Sequence, residues 1–500
     1  SRAWYLYYDR LGFDPTPRAK VVRRYKGRVY FNLSLPAQLD AEQAGVEPLS
    51  LRLNGQRQPL ATWEKPGFLA GLKLGRAQKK IDAQVAESSR QMEAITEKAR
   101  AWYLKTQAIR RWGQAEVLQI MEEIERYGVE SMVAFFAARY NLGQQTARLV
   151  VALADKALDT EAVLRINNAL GNVSGLVETA MLAALPPLAD TMRDPAALAW
   201  LQAGDYADWR TTLPNPAAVE GIKSFINAYG HRGVHEGEIA HPRWAEDVTL
   251  LMRALLAQIE SPHQATATSS VQDDLSILLE MLPSSARKQS EQSLQKIAEL
   301  HKLQSQALHA LAYIWAGTRS WVLAAAREAM VDERLHSPEE VFLFELEEIK
   351  EMMTGEWNIS SREEIRATLA ERQTEHAAMQ QAQAPAILVG DTEASVTHHG
   401  LPGVAGKATG PLRQWDAQQD CQGAVLATDS LDSGFVLTLP FATAYVAASG
   451  TPCDPFVMAA HAWQRPIAVD LGKRYDEFAK ADDVSTTLDV NTDGVAVSQG

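Results

Sequence analysis

From Pro66-Gly67 to about residue 380, apolar residues recur at the spacing of a helix face, which commits most of this chain to helical packing. Ile81, Val85, Met92, Ile95, Ala99 and Trp102 stand three, four and seven apart, the stripe of one long amphipathic helix. Proline interrupts the pattern at Pro186-Pro187, at Leu213-Pro-Asn-Pro216 and at Ser261-Pro262. The Ala-, Thr- and Ser-rich run Gln264–Ser270 reads as a surface loop. Ser337-Pro-Glu-Glu340 reads as a helix start, with Ser as cap, Pro at the first position and Glu three residues on. The acidic run Glu345–Glu351 predicts a solvated helix face with Phe342, Leu346 and Ile349 turned inward. Gln373–Pro385 reads as a linker or a fraying helix end.

The flanks differ. Gly27–Ser34 and Pro48–Gly55 are short alternating runs that end in turn residues, hence strands. From Ala386 onward, Ile387–Val389, Ala424–Ala427, Ala444–Ala447 and Pro466–Val469 read as apolar strands, with Pro455–Trp463 helical between the last two. Strands alternating with helical stretches indicate a compact α/β unit of about 110 residues. The expected division is a mixed α/β segment over 1–65, a helical domain over 66–380, a linker over 381–400 and an α/β domain over 401–500.

A length of 500 residues suits roughly three domains. The net charge of −13 argues against a nucleic-acid partner, which needs a basic stripe. Local arginines still permit an anionic small substrate. Cys421 and Cys453 form no disulfide framework, so a reducing cytoplasm is expected. No run of 18 apolar residues and no signal-peptide pattern occurs, so no membrane partner is expected. The chain opens on Ser1, which is compatible with processing or truncation.

Several motifs fail on inspection. Gly403-Val-Ala-Gly-Lys-Ala408 resembles a phosphate loop, but its spacing is broken and Ala408 replaces the Mg²⁺-binding hydroxyl. His235 and His241 are six apart, which is not zincin spacing. The densest chemistry lies in Tyr229–Asp247, where nineteen residues hold three histidines, two arginines and four acids. Three readings stay open. His231 and His235, at i and i+4, with Glu236, Glu238 or His241, could form a metal site, although glycines at 230, 233 and 237 oppose a continuous helix. The stretch could instead be a hydrogen-bonded turn. Or Arg232 and Arg243 could offer forks to anionic oxygens, with Glu236 or Glu238 orienting them or taking a proton.

This stretch resembles the signature GxRGxxExE…PRW of rifampin phosphotransferases and their phosphoenolpyruvate-synthase-like relatives, matched at Gly230, Arg232, Gly233, Glu236, Glu238, Pro242, Arg243 and Trp244. Gly27–Asn32, Arg327–Met330 and Val341–Lys350 extend the resemblance over most of residues 25–370. It implies a large helical domain that holds a small organic acceptor, followed by a small swivelling α/β domain of phosphohistidine type. Gly400–Pro411, Gly423–Thr428 and the strand pair over Thr487–Ala496 fit the swivelling domain. The family's acceptor histidine falls at Asp454 here, with Cys453 before it and His461 seven residues later. Asp454 is either a phosphoryl acceptor or an N-cap with Pro455 at the first helical position.

The resemblance thus implies a phosphotransferase or ligase component. Arg232, Glu236, Glu238, Arg243 and Asp454 form its candidate catalytic set, and His231, Trp244, Trp315, Arg319 and Arg327 its candidate substrate contacts. Core packing is the competing reading for the tryptophans. No ATP-grasp pattern is present, so ATP and Mg²⁺ are expected through a separate or missing ATP-grasp module. The competing functions are a non-catalytic scaffold that docks a partner and, more weakly, a metal-dependent enzyme built on His231, His235 and Glu236.

Overall fold

The computed structural model describes residues 2–12, 21–45, 47–48, 50–53, 56–64, 67–108, 112–152, 167, 173, 175–262, 276–280, 282, 284–382, 385, 387–390, 392–394, 401–416, 419–449, 455–469, 485–491 and 494–499. Helix α1 (Arg2–Leu11) comes first, followed by the hairpin β1 (Val22–Tyr25) and β2 (Arg28–Phe31). Helix α2 (Ser34–Ala44) and the hairpin β3 (Ser50–Leu53) and β4 (Gln56–Pro59) complete the N-terminal segment. Both strands expected there are present, each paired antiparallel with a neighbour.

Two long helices follow, α3 (Phe68–Ala108) and α4 (Gln114–Ala152). A layer of shorter helices comes next: α5 (Val177–Ala183), α6 (Leu185–Thr191), α7 (Pro195–Ala203), α8 (Trp209–Thr212), α9 (Pro216–Tyr229) and α10 (Thr249–Glu260). The proline breaks fall at their ends. Pro186-Pro187 occupies the first turn of α6, and Pro216 opens α9 behind the Asn215 cap, whose side chain accepts from the N–H groups of Ala217 and Ala218. Helix α11 (Ser284–Val331) returns along the bundle, about 70 Å of helix by its rise per residue.

The stripe on α3 is the buried face: Ile81, Met92, Ile95, Ala99 and Trp102 are all buried. Asp82 pairs with Lys296, and further along Trp102 packs on Gly317, so α3 and α11 run parallel. Helix α4 runs antiparallel to α11, with Gly128 against Ile314 and Arg139 beside His301.

The Ser337 capping box forms with Glu340 as expected, although it opens a 3-10 turn (Pro338–Leu343) rather than an α-helix. Helix α12 (Leu346–Thr354) buries Ile349 and Met352 and half-buries Leu346, and its acidic face reaches Arg372 through Glu348. Helix α13 (Arg362–Gln381) then runs into the Gln-rich stretch, and a small hairpin, β5 (Ile387–Val389) and β6 (Thr392–Ala394), lies inside the expected linker.

The C-terminal part is a sheet of β7 (Leu401–Val404), β8 (Gly406–Gln414), β9 (Val425–Ser430), β10 (Ala444–Ser449), β11 (Ile467–Val469), β12 (Ser485–Asn491) and β13 (Gly494–Gln499). Its order is β13-β12-β8-β9-β10-β11-β7, with β8, β9, β10 and β11 mutually parallel. Helix α14 (Pro455–Ala462) connects β10 to β11. In the phosphate-loop-like run 403–408, residues 403–404 end β7 and residues 406–408 open β8.

Strand alternation gives the sheet two apolar faces. Val425, Ala427, Ala444 and Val446 belong to a core on one face. Leu426, Tyr445, Ala447 and Ile467 point to the other, where they join a cluster that runs without a break through Phe435, Leu251, Trp209 and Leu142. One apolar core therefore joins the sheet to the short-helix layer. The Gln264–Ser270 loop, Cys453 and Asp454 lie outside the described residues.

Candidate functional site

The 229–247 stretch is a run of turns between α9 and α10, not a helix. Gly230 and Gly233 are required by close approach: a Cβ on the first would stand 2.5 Å from the Ile226 carbonyl oxygen, and on the second 2.6 Å from that of Pro242. His235 adopts a left-handed backbone at φ 53°, which redirects its ring. Two backbone bonds, Trp244 N–H to Arg232 carbonyl and Ala245 N–H to Gly230 carbonyl, close the stretch on itself. The hydrogen-bonded-turn reading describes this backbone.

Arg232 is fully buried. Its Nε and Nη2 donate to Glu236, and Nη2 also reaches Glu178 on α5 at 3.3 Å. Glu178 in turn accepts from the Ser305 hydroxyl on α11. Burial outweighs the guanidinium and, with Asp432 and Glu178 nearby, holds the Glu236 carboxyl above the usual carboxylate range. Glu178 and Ser305 were not visible as site residues in the sequence. They come from elements distant in the chain, with no local spacing to reveal them.

Arg243 is 2% exposed, and burial lowers its affinity for a proton. Its Nη2 donates to the Glu238 carbonyl at 3.4 Å. Its Nε and Nη1, like Nη1 of Arg232 and Nε2 of His231, are buried without a hydrogen-bond partner. Glu238 is exposed, and its carboxylate accepts from the Ala240 N–H as a turn cap. Glu238 therefore supports the loop while Glu236 faces inward.

His231 stacks on Tyr313 at 3.4 Å between centroids and meets His309 edge-on at 4.6 Å. Burial, followed by His309 and Arg232, depresses its pKa well below that of a free histidine, so the ring is neutral near pH 7. His309 is pushed down to about 3, chiefly by burial. His235 turns the other way. Its Nδ1 lies 3.4 Å from Asp432 Oδ2, and its ring meets Phe435 edge-on at 5.3 Å. The i, i+4 spacing of His231 and His235 therefore does not bring their rings together, because the backbone between them is not helical. No group of three or more His, Cys, Asp or Glu side chains suited to a metal occurs among the described residues.

The remaining candidates divide. Arg319 clamps the loop to α11, binding Glu246 through Nε and Nη2 and the carbonyls of Ile239 and Ala240 through Nη1. Trp244 is core, packed on Phe225. Trp321 is likewise fully buried core, Trp315 is half-buried, and Arg327 is exposed further along α11. For Trp244 and Trp321, burial in the core accounts for the aromatic side chain.

The C-terminal part closes over this loop. The turn Ser433–Thr438 is buried throughout and seats Gly434 on the Gly233 backbone, while Asp432 caps the turn by accepting from Gly434 N–H at 2.8 Å. Arg253 on α10 donates to the Gln419 carbonyl at 2.7 Å, and Asn167 to that of Gly403 at 2.8 Å. Arg232, Arg243 and Glu236 thus lie in a closed seam between helices and sheet. A cationic donor set of this kind suits an anionic oxygen-rich group.

No curated protein matches the chain. Residues 129–330, which include the whole 229–247 stretch, match the family described as rifampicin phosphotransferase fourth domain.

Proposed function

We propose that the chain is a component of an ATP-dependent phosphotransferase or ligase acting on a small organic acceptor. Phosphoryl transfer would take place where the 229–247 loop meets the turn after Asp432. The observation that carries this reading is the set of buried guanidinium N–H groups on Arg232 and Arg243 without partners. Leaving a charged donor unpaired inside a protein costs free energy, and phosphoryl oxygens would supply the missing acceptors. Glu236 would take the proton of the acceptor hydroxyl as its oxygen bonds to phosphorus and the bond from phosphorus to the carrier breaks. The phosphoryl group originates from ATP with Mg²⁺, bound by the ATP-grasp module that the resemblance implies. Because the seam is closed, the reading requires the sheet to move away from the loop before substrate enters.

The test is labelling in native-host lysate with β-³²P-ATP, comparing the intact chain with Asp454→Asn and His461→Asn. Label lost in one variant identifies the carrier and supports a transfer arm. No label on the intact chain, with extract and ATP present, sinks the transfer reading.

One observation favours a second reading, a non-catalytic scaffold. The apolar core runs unbroken from the short helices into the sheet, which resists any swing of the C-terminal part. A stable partner in pull-down together with absent labelling would select it.

A further inference from the structure

A cavity of about 500 Å³ opens between the N-terminal segment and α4. Its walls are mostly apolar, with Phe31, Leu33, Leu60, Phe135, Phe136 and Tyr140 among them. Phe31 and Leu33 are 39% and 49% exposed although large and apolar. Leaving such side chains in water forgoes burial free energy, and grouped at a concave opening they mark a binding surface.

The polar groups in the cavity are few and one-sided. Asp40, on α2, accepts from the Tyr8 hydroxyl at 3.3 Å and is bonded to the Gln144 amide. Gln144 is only 3% exposed and lines the cavity, and its Oε1 has no partner. Glu47 adds a second carboxylate and Arg139 a single cation. With Asp40 ionised the lining is net acidic, and it holds a buried acceptor lacking a donor.

Gly143 supplies the room. It lies inside α4, where glycine costs about 1 kcal/mol relative to alanine. Gly317, by contrast, serves close packing under Trp102. A Cβ at position 143 would meet nothing within 4 Å. Packing gives no reason for the missing side chain, and position 143 faces the cavity.

We propose that this cavity binds a small ring-bearing molecule whose basic nitrogen donates to Asp40 and the Gln144 carbonyl oxygen, its rings lying against Phe135, Phe136 and Tyr140. The site is distinct from the Arg232 seam. No residue lining the cavity belongs to the network of Arg232, Glu236, Glu178 and Ser305. The inference does not depend on phosphoryl transfer.

The test uses two fluorescent tricyclic probes, the cation 9-aminoacridine and the anion anthracene-9-carboxylate, titrated into the full chain. The expected result is saturable binding of the cation at least tenfold tighter than of the anion. Asp40→Asn should reduce that preference at least tenfold. Gly143→Leu should abolish binding of both probes while melting at or above the parent temperature, because leucine fills open space and is the better helix former. Equal affinity for the two probes, no saturable binding by the parent chain, or undiminished binding by Gly143→Leu would each overturn the proposal. If Asp40→Asn does not fold, the Gly143→Leu comparison decides alone.

Discussion

Gly434 lies against Gly233 so closely that a Cβ at position 434 would stand 1.9 Å from the Gly233 carbonyl oxygen. No neighbouring side chain can yield here, since the obstacle is backbone. Gly434→Ala is expected to lift the Ser433–Thr438 turn off the loop at a cost of about 1–3 kcal/mol. Hydrogen exchange should report it, with faster exchange at residues 229–247 and 433–438 and little change in α3. Unchanged exchange at both segments would show that this contact does not seat the sheet. In the transferase reading the same variant opens the seam, so anion access to Arg243 should increase.

Arg319 tests how the loop is held from the helical side. It satisfies two carboxylate oxygens and two carbonyls at once, which only a planar fork of donors can do. Arg319→Lys keeps the charge and loses the fork, with an expected loss of about 1–3 kcal/mol. Arg327→Lys, at an exposed position on the same helix, should change stability by less than about 0.5 kcal/mol. Equal effects on melting temperature would argue that Arg319 is not a clamp.

These contacts mark where sequence reading stops. The stripe from Ile81 to Trp102 and the alternation around Val425 and Val446 report local periodicity, and both elements form where that periodicity puts them. Arg232 and Glu236 were legible as members of one dense charged stretch, with Glu236 or Glu238 open as the partner of the arginines. Glu178, Ser305 and Asp432 were not, since each is brought in by tertiary packing from at least fifty residues away. Trp244 stood inside a recognisable signature yet serves the core, because a tryptophan's burial is decided by what packs on it. Gly143 carried no mark at all in the sequence. Its meaning depends on the empty space beside it.

Asp40 gives the chain a pH dependence of defined sign. Burial lifts its carboxyl from 3.8 to about 7, against the opposing effects of Gln144, Tyr8 and Arg148. Tyr7 and Tyr8 from α1 and Tyr140 from α4 surround it, and Glu47 and Arg139 share its cavity. Between about pH 4 and 7 the folded state holds a proton that the unfolded chain has released, so this group's contribution to stability declines as pH rises through that window. Asp40→Asn should flatten that part of the profile and leave the rest unchanged. Denaturant melts at pH 5 and pH 8 give the comparison: the parent loses more stability between them than the variant. An equal loss in both proteins would remove Asp40 as the source.

Gly317 and Trp102 test the bundle itself. A Cβ on Gly317 would stand 2.2 Å from the indole of Trp102, inside the buried contact between α3 and α11. Alanine at 317 gains about 1 kcal/mol of helix propensity and meets a ring that has no free space to enter. Overpacking of this kind costs about 1–3 kcal/mol, so the net expectation for Gly317→Ala is a loss of up to about 2 kcal/mol. Trp102→Leu alone leaves a cavity and should cost more. The double variant is the decisive measurement, because shortening residue 102 removes the obstacle that alanine meets. It should be more stable than the sum of the two single losses predicts, by about 1 kcal/mol or more. Strict additivity in denaturant melts would mean that the two residues do not share this contact and that the parallel register of α3 on α11 is set elsewhere.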